Sequence, residues 1–246
     1  MRYFIEFAYN GKNFHGFQSQ PDAASVQETL EKALSTLFRE TIAIVGAGRT
    51  DSGVHAKQMY AHFETELELD SDYWTHKLNS FLPQSIVVYR IFKVAEDAHA
   101  RFDATSRTYE YYIHTFKDAF ITDGSWYHSH HLDLDKMNEV VTLLLQYKDF
   151  SPLSKHNPDN KTTLCDISHA LWVHDEKEGR LRFEISANRF LWNMVRMITG
   201  LSLMVGRGRM NLEHVKNVMD EVGTFQYIMP VPPQGLYLTK VEYPYL

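Results

Sequence analysis

Tyr3, Ile5, Phe7 and Tyr9 alternate with Phe4, Glu6 and Ala8 before Asn10-Gly11 breaks the run, so the chain reads as opening on a strand closed by a turn. Ser25 and Glu28 stand at capping-box spacing ahead of Val26, Leu30, Leu34 and Leu37, which keep to one helical face. Residues 42–47 and 58–69 read as strands, 71–82 as a helix with Trp74, Leu78 and Phe81 inward, and 86–94 as a strand. The order is βαββαβ, that of the ferredoxin-like unit.

The second half repeats the order without repeating the residues. Residues 107–116 form a Tyr-rich strand pattern, and 135–147 carry Met137, Val140, Val141 and Leu144 on a helical stripe. Residues 163–174 and 180–187 suit a hairpin about Glu178-Gly179, followed by helices over 189–205 and 211–222 and a last strand over 235–243. The Pro-rich run Met229-Pro230-Val231-Pro232-Pro233 reads as the stop of a helix before that strand. The expected fold class is α+β, with two ferredoxin-like halves, residues 1–102 and 103–246, whose antiparallel sheets flank a cleft.

Composition narrows the classes. At 246 residues, 44% of them hydrophobic, the chain can bury a sizeable core, and no apolar run approaches the roughly 20 residues that span a bilayer. The first residues read as a strand rather than a secretory signal, and the single Cys165 excludes a disulfide framework or a multi-cysteine metal site, which points to the cytoplasm. A net charge of -6 argues against a generic basic nucleic-acid binder, yet between Arg180 and Arg209 six arginines face only Glu184. His62, Glu64, Glu66, Glu68 and Asp70 alternate as if on one strand face.

Chemistry concentrates in few places. Gly46-Ala47-Gly48-Arg49-Thr50-Asp51-Ser52-Gly53-Val54-His55-Ala56 follows a strand with small residues around an arginine and an aspartate. A dinucleotide fingerprint would need glycine at position 51 and a helix afterwards, so a phosphate loop is excluded, whereas a plain turn role for Asp51 stays open. On the helix expected from residue 189, Arg189, Asn193 and Arg196 share a stripe distinct from Phe190, Met194, Ile198 and Leu201. Tyr109 lies in phase with Tyr111 and Ile113 on its strand, where core packing is the ordinary role. His128, His130 and His131 lack the acidic or cysteine partners of a metal site.

Taken in order, YNGKNFHGFQSQP (residues 9–21), GAGRTDSGVHA (46–56), KLNSFLP (77–83), ARFDATSRTYEYYI (100–113), NRFLWNMVRMITG (188–200) and GLYLTKVEY (235–243) resemble the TruA family of tRNA pseudouridine synthases nearly end to end. GRTDSGVHA is highly specific to that family, while the others gain force from their order. The resemblance implies two ferredoxin-like halves around an active-site cleft and isomerisation of uridine, without cofactor, at tRNA positions 38 to 40 on the 3′ side of the anticodon stem-loop. It places the catalytic aspartate on Asp51, the base-displacing arginine on Arg49, the active-site tyrosine on Tyr109, and the aspartate's basic partner on Arg196, with Arg189 among the substrate-binding residues. A homodimer holding each tRNA across both subunits is also implied. Two stretches depart from the usual pattern, Gln58-Met59-Tyr60 where many members carry Gly-Gln-Val, and Lys148-Asp149-Phe150-Ser151 where they carry His-Asp-Phe-Ser.

The reaction suits these residues. Making pseudouridine breaks the N1 to C1′ bond and forms a C5 to C1′ bond with no net redox change, and an ionised carboxylate can serve as nucleophile or as base toward the ribose 2′ proton. Other classes lack their motifs. A tandem RNA-recognition protein would show an RNP1-like segment, and a zinc deaminase needs a P-C-x-x-C that one cysteine cannot supply. A glycosidase would need a carboxylate pair and would release free uracil.

Overall fold

The computed structural model describes residues 1–158, 160–177 and 179–246. In chain order the elements are β1 (Arg2–Tyr9), α1 (Val26–Phe38), β2 (Val45–Gly46), β3 (His55–Glu64), α2 (Ser71–Phe81), β4 (Ile86–Lys93), β5 (Ser106–His114) and β6 (Trp126–Tyr127). They continue with α3 (Leu134–Leu144), β7 (Ile167–Asp175), β8 (Arg180–Ala187), α4 (Met194–Gly206), α5 (Leu212–Asp220) and β9 (Leu236–Glu242). The class is therefore mixed α/β with mostly antiparallel strand pairs. The chain forms two compact units, Met1–Thr105 with Tyr237–Leu246, and Ser106–Leu236. Among the described residues no helix is long and apolar enough to cross a membrane.

In the first unit β1 lies between β3 and β4, antiparallel to both, and β2 pairs with β3. Tyr3, Phe4, Ile5, Phe7 and Tyr9 are all buried, as a central strand covered on both faces requires. Ser25 Oγ accepts the Glu28 N–H (3.2 Å) and starts α1, which buries Val26, Leu30, Ala33, Leu34 and Phe38. The strand expected over 42–47 shrinks to Val45–Gly46 because α1 takes its donors. Ile42 N–H goes to Ser35 Oγ (2.9 Å) and Ile44 N–H to Glu31 Oε1 (3.0 Å). β3 ends at Glu64, so the acidic alternation is not one strand face: His62 is buried, and Asp70 caps α2 through the Tyr73 N–H (2.7 Å). Leu78 is buried, but Phe81 is 49% exposed because the helix ends there and Leu82 turns inward instead. Gln58, one of the atypical residues, ties strands together, donating to Glu6 Oε1 (2.7 Å) and accepting the Val241 N–H (3.0 Å).

In the second unit β8 runs antiparallel between β5 and β7, and the short β6 lies parallel to β5. Trp172 stacks on Phe183 with centroids 4.9 Å apart, and Met137, Val140, Val141 and Leu144 of α3 complete that core. A Cβ on Gly206 would lie 2.6 Å from Met137 Cγ, which shows how closely α4 approaches α3. β7 starts at Ile167, later than expected, because Cys165 N–H bonds to the Lys148 carbonyl (2.8 Å). Of the expected hairpin turn, Glu178 lies outside the described residues, while Gly179 takes φ +61° and Asp175 pairs with Arg180. The proline run does not stop a helix, since α5 has already ended at Asp220. It lays an extended backbone along α4, where Val231 N–H meets the Arg196 carbonyl (3.3 Å) and a Cβ on Gly200 would lie 2.6 Å from the Met229 oxygen.

Candidate active site

The loop between β2 and β3 is held by main-chain contacts to β3 and to residues 11–17. Ala47 N–H bonds to the Tyr60 carbonyl (2.8 Å), Phe17 N–H to the Thr50 carbonyl (3.2 Å) and Gly53 N–H to the Phe14 carbonyl (3.2 Å). Tyr9 Oη pairs with Thr50 Oγ1 at 2.8 Å. Such close approach demands small residues. A Cβ on Gly11 would overlap the Val54 carbonyl, one on Gly16, at φ +96°, would lie 2.6 Å from the Thr50 oxygen, and Gly53 turns the loop at φ +77°. Two of the sequence blocks, 9–21 and 46–56, thus form one structure. It carries Asp51 half-buried at its bend, with the Asp51 carbonyl accepting the Val54 N–H (3.2 Å), and Arg49 exposed two residues earlier.

Tyr109, Arg189 and Arg196 belong to the second unit. Tyr109 sits half-buried on β5 opposite Ile185, and the Phe190 ring meets it edge-on with centroids 5.2 Å apart. The expected helix from residue 189 is corrected: α4 starts at Met194 because Asn193 adopts φ +61°, outside the helical region. Arg189 and Asn193 therefore do not share a helix face with Arg196. Arg189 lies in the connection from β8 and acts electrostatically on buried Cys165, whose thiol burial pushes up to about 11 while that guanidinium pulls the other way. Arg196, on the first turn of α4, donates from Nε to the Val231 carbonyl (2.7 Å) and from Nη1 to Asn193 Oδ1 (2.9 Å). The guanidinium is thus fixed in direction.

The arginine-rich segment is not a single charged surface. Arg182 is held by Glu110 (2.8 Å) and Glu184 (2.7 Å), and Arg180 covers the Tyr112 ring at 4.8 Å. Two supports of the Asp51 loop carry no chemical signal of their own in the sequence: Tyr9, and buried His55, whose Nδ1 accepts the Gly11 N–H (3.0 Å) and whose ring stacks on Tyr237 (4.6 Å). Tyr9 and His55 stood inside the quoted blocks, while nothing in the pattern marked Asn193 for a left-handed backbone. Among the described residues no group of three His, Cys, Asp or Glu side chains is arranged to hold a metal ion.

In the first unit a half-buried carboxylate on a loop held by main-chain contacts can act as base or nucleophile, and in the second an oriented guanidinium can stabilise negative charge. A family described as tRNA pseudouridine synthase matches residues 6–103 and 144–244, which include Arg49, Asp51, Arg189 and Arg196, with Tyr109 in the stretch between. The chain belongs to the tRNA pseudouridine synthase family, a class of isomerases acting on uridine in tRNA. It is similar to the tRNA pseudouridine synthase A of Bacteroides thetaiotaomicron, 48% identical over 244 residues, covering 99% of this chain and 91% of that protein. The protein of the same name from Parabacteroides distasonis is 47% identical over 245 residues, 99% of this chain and 96% of its own. That from Bacteroides fragilis is 46% identical over 244 residues, with 99% and 96% covered.

Proposed function

We propose that this chain converts uridine to pseudouridine on the 3′ side of the anticodon stem-loop of tRNA, as a cytoplasmic homodimer and without a cofactor. The observation that carries the reading is the rigid loop presenting Asp51 half-buried with Arg49 exposed beside it, within the block most specific to the family. The architecture proposed is two ferredoxin-like halves flanking an active-site cleft. In support, the first unit has the element order βαββαβ, and five of the six elements of the same order recur in the second as β5, α3, β7, β8 and α4.

In this mechanism Asp51 acts as the nucleophile toward a carbon of the nucleotide or as the base toward the ribose 2′ proton. Both routes break the N1 to C1′ bond and free the uracil, which turns so that C5 bonds to C1′; the carboxylate is released from carbon in the first route and returns the 2′ proton in the second, and C5 then loses its own proton. Arg196 is the ion-pair partner of Asp51, the direction of its guanidinium set by Val231 and Asn193. Tyr109 stacks on the freed base and takes part in removing the C5 proton. Arg49 fills the gap the flipped uridine leaves, a step that costs a few kcal/mol of lost stacking, and Arg189 contributes to binding.

Asp51→Asn tests the reading, because it keeps size and hydrogen-bonding capacity while removing the charge. Tritium release from tRNA labelled at uracil C5 is expected to fall to background, with tRNA binding retained and thermal unfolding little changed. Substantial release by this variant would show that the carboxylate is not the catalyst and return Asp51 to a turn role.

A further inference from the structure

Phe102 is a large apolar side chain left 77% exposed on a segment that is otherwise fully tied down. Residues 98–103 form neither helix nor strand, yet each of their six N–H groups has a partner. Ala98 bonds to the Ala95 carbonyl (3.0 Å), His99 to Asp103 Oδ2 (2.7 Å) and Ala100 to His62 Nδ1 (3.1 Å). Arg101 and Phe102 both donate to His99 Nδ1 (3.1 and 3.2 Å), and Asp103 donates to the His99 carbonyl (3.1 Å). From outside the segment, Arg2 Nη1 reaches the Ala98 carbonyl (3.0 Å), Tyr243 Oη the Ala100 carbonyl (2.6 Å) and Tyr245 Oη the Asp103 carboxylate (2.9 Å).

The ring itself has a backing. Phe102 rests on His99 with centroids 4.3 Å apart, His99 meets His62 edge-on at 4.6 Å, and His62 stacks on Phe4 of β1 at 6.2 Å. A column of rings thus runs from the core of the first unit to the surface and ends on the outward face of Phe102. His99 Nδ1 accepts two N–H groups and so carries no proton, which leaves the ring under Phe102 uncharged.

We propose that the outward face of Phe102 is a stacking platform for an unpaired base of the substrate tRNA. The inference rests on tRNA being the substrate. An aromatic face whose backbone is already held and whose ring is backed by His99 loses less entropy on contact than a free one, and stacking of this kind tolerates any base. A duplex presents stacked bases and a charged backbone to such a ring, so the partner is a loop nucleotide or one drawn out of the helix.

The test compares Phe102→Ala, Phe102→Leu and Phe102→Trp for affinity to an unmodified tRNA transcript over a range of salt, alongside tritium release, chain mass in solution and thermal unfolding. Alanine and leucine are expected to weaken binding about tenfold, tryptophan to restore it, and the slope of log affinity against log salt to stay unchanged because the contact carries no charge. The loss should fall on KM more than on kcat, with unfolding temperatures close to the parent's. Wild-type affinity in the alanine or leucine variant would overturn the platform, and so would lost affinity accompanied by dissociation of a dimer, which would assign the ring to a second copy of the chain. If the parent protein releases no tritium from tRNA, the proposed function itself falls. A parent that is active beside an alanine variant that binds normally removes only the platform.

Discussion

The two units hold their proposed reactive groups by opposite means. In the first, Asp51 is carried by a loop whose main chain touches another main chain, with Phe14, Phe17, Thr50 and Gly53 exchanging peptide hydrogen bonds and Gly11 and Gly16 leaving room for the approach. In the second, Arg196 is held through its own side chain, on the Val231 carbonyl and on Asn193, and the helix beneath it starts where Asn193 turns left-handed. The first arrangement tolerates substitution of the reactive side chain and fails if the frame changes. In the second, the reactive side chain is itself part of the frame, because Val231 and Asn193 lose a partner when it goes.

Arg196→Met sharpens that contrast most strongly. Tritium release should fall to background while tRNA affinity stays close to the parent's, because the proposed partner of the guanidinium is Asp51 and not phosphate. Near-normal turnover would end the assignment. Unlike Asp51→Asn, this change should also lower stability, by about 1 kcal/mol, through the carbonyl and the amide left unpaired. Equal unfolding temperatures for the two variants would erase the difference between the units.

Gly11→Ala is the converse experiment, since it alters the frame of the first unit without touching any group proposed to react. The added Cβ overlaps the Val54 carbonyl, which cannot retreat without dragging the loop of Asp51. The expected loss is about 3 kcal/mol of stability, as for other overpacked sites, or roughly 10 °C in Tm at this chain length, together with most of the activity. A variant that unfolds and turns over like the parent would show that main-chain contact does not place the loop.

Acid should weaken both units, with the smallest effect per residue. Burial pushes His62 in the first unit and His128 in the second down to about 4 from 6.5, with His99 and Arg2 adding to the effect on His62, and Arg207 and His130 on His128. An unfolded chain takes up a proton near 6.5 while the folded one resists until about 4, so this stability is complete above 6.5 and is lost as pH falls through that interval. His62→Asn, which keeps an acceptor for the Ala100 N–H, should remove on the order of 1 kcal/mol of the fall between pH 7.5 and pH 4.5 in urea unfolding. An unchanged pH dependence would mean that His62 titrates normally.

What the sequence makes legible follows from the same contrast. Main-chain approach leaves a mark in the sequence, because only glycine fits beside the Val54 and Thr50 carbonyls, and so the blocks around Gly11, Gly16 and Asp51 stood out. Side-chain anchoring on a carbonyl leaves no mark, since every residue type carries that oxygen. The helix expected from residue 189 accordingly began five residues too early, and the proline run was read as a stop rather than as the strip of backbone that fixes Arg196.

By itself the sequence determined the family, through ordered blocks that resemble its members nearly end to end, and most of the strands and helices, through periodicities that burial of one face imposes. Only the tertiary structure decided where those elements stop. Ser35 and Glu31 took the donors that would have extended β2, and Asn193 delayed α4. It also decided which aromatics stay outside. Phe81 and Phe102 are as apolar in the sequence as the buried rings, yet Phe81 is left exposed where α2 ends and Phe102 on a segment whose N–H groups from Ala98 to Asp103 are all satisfied in place.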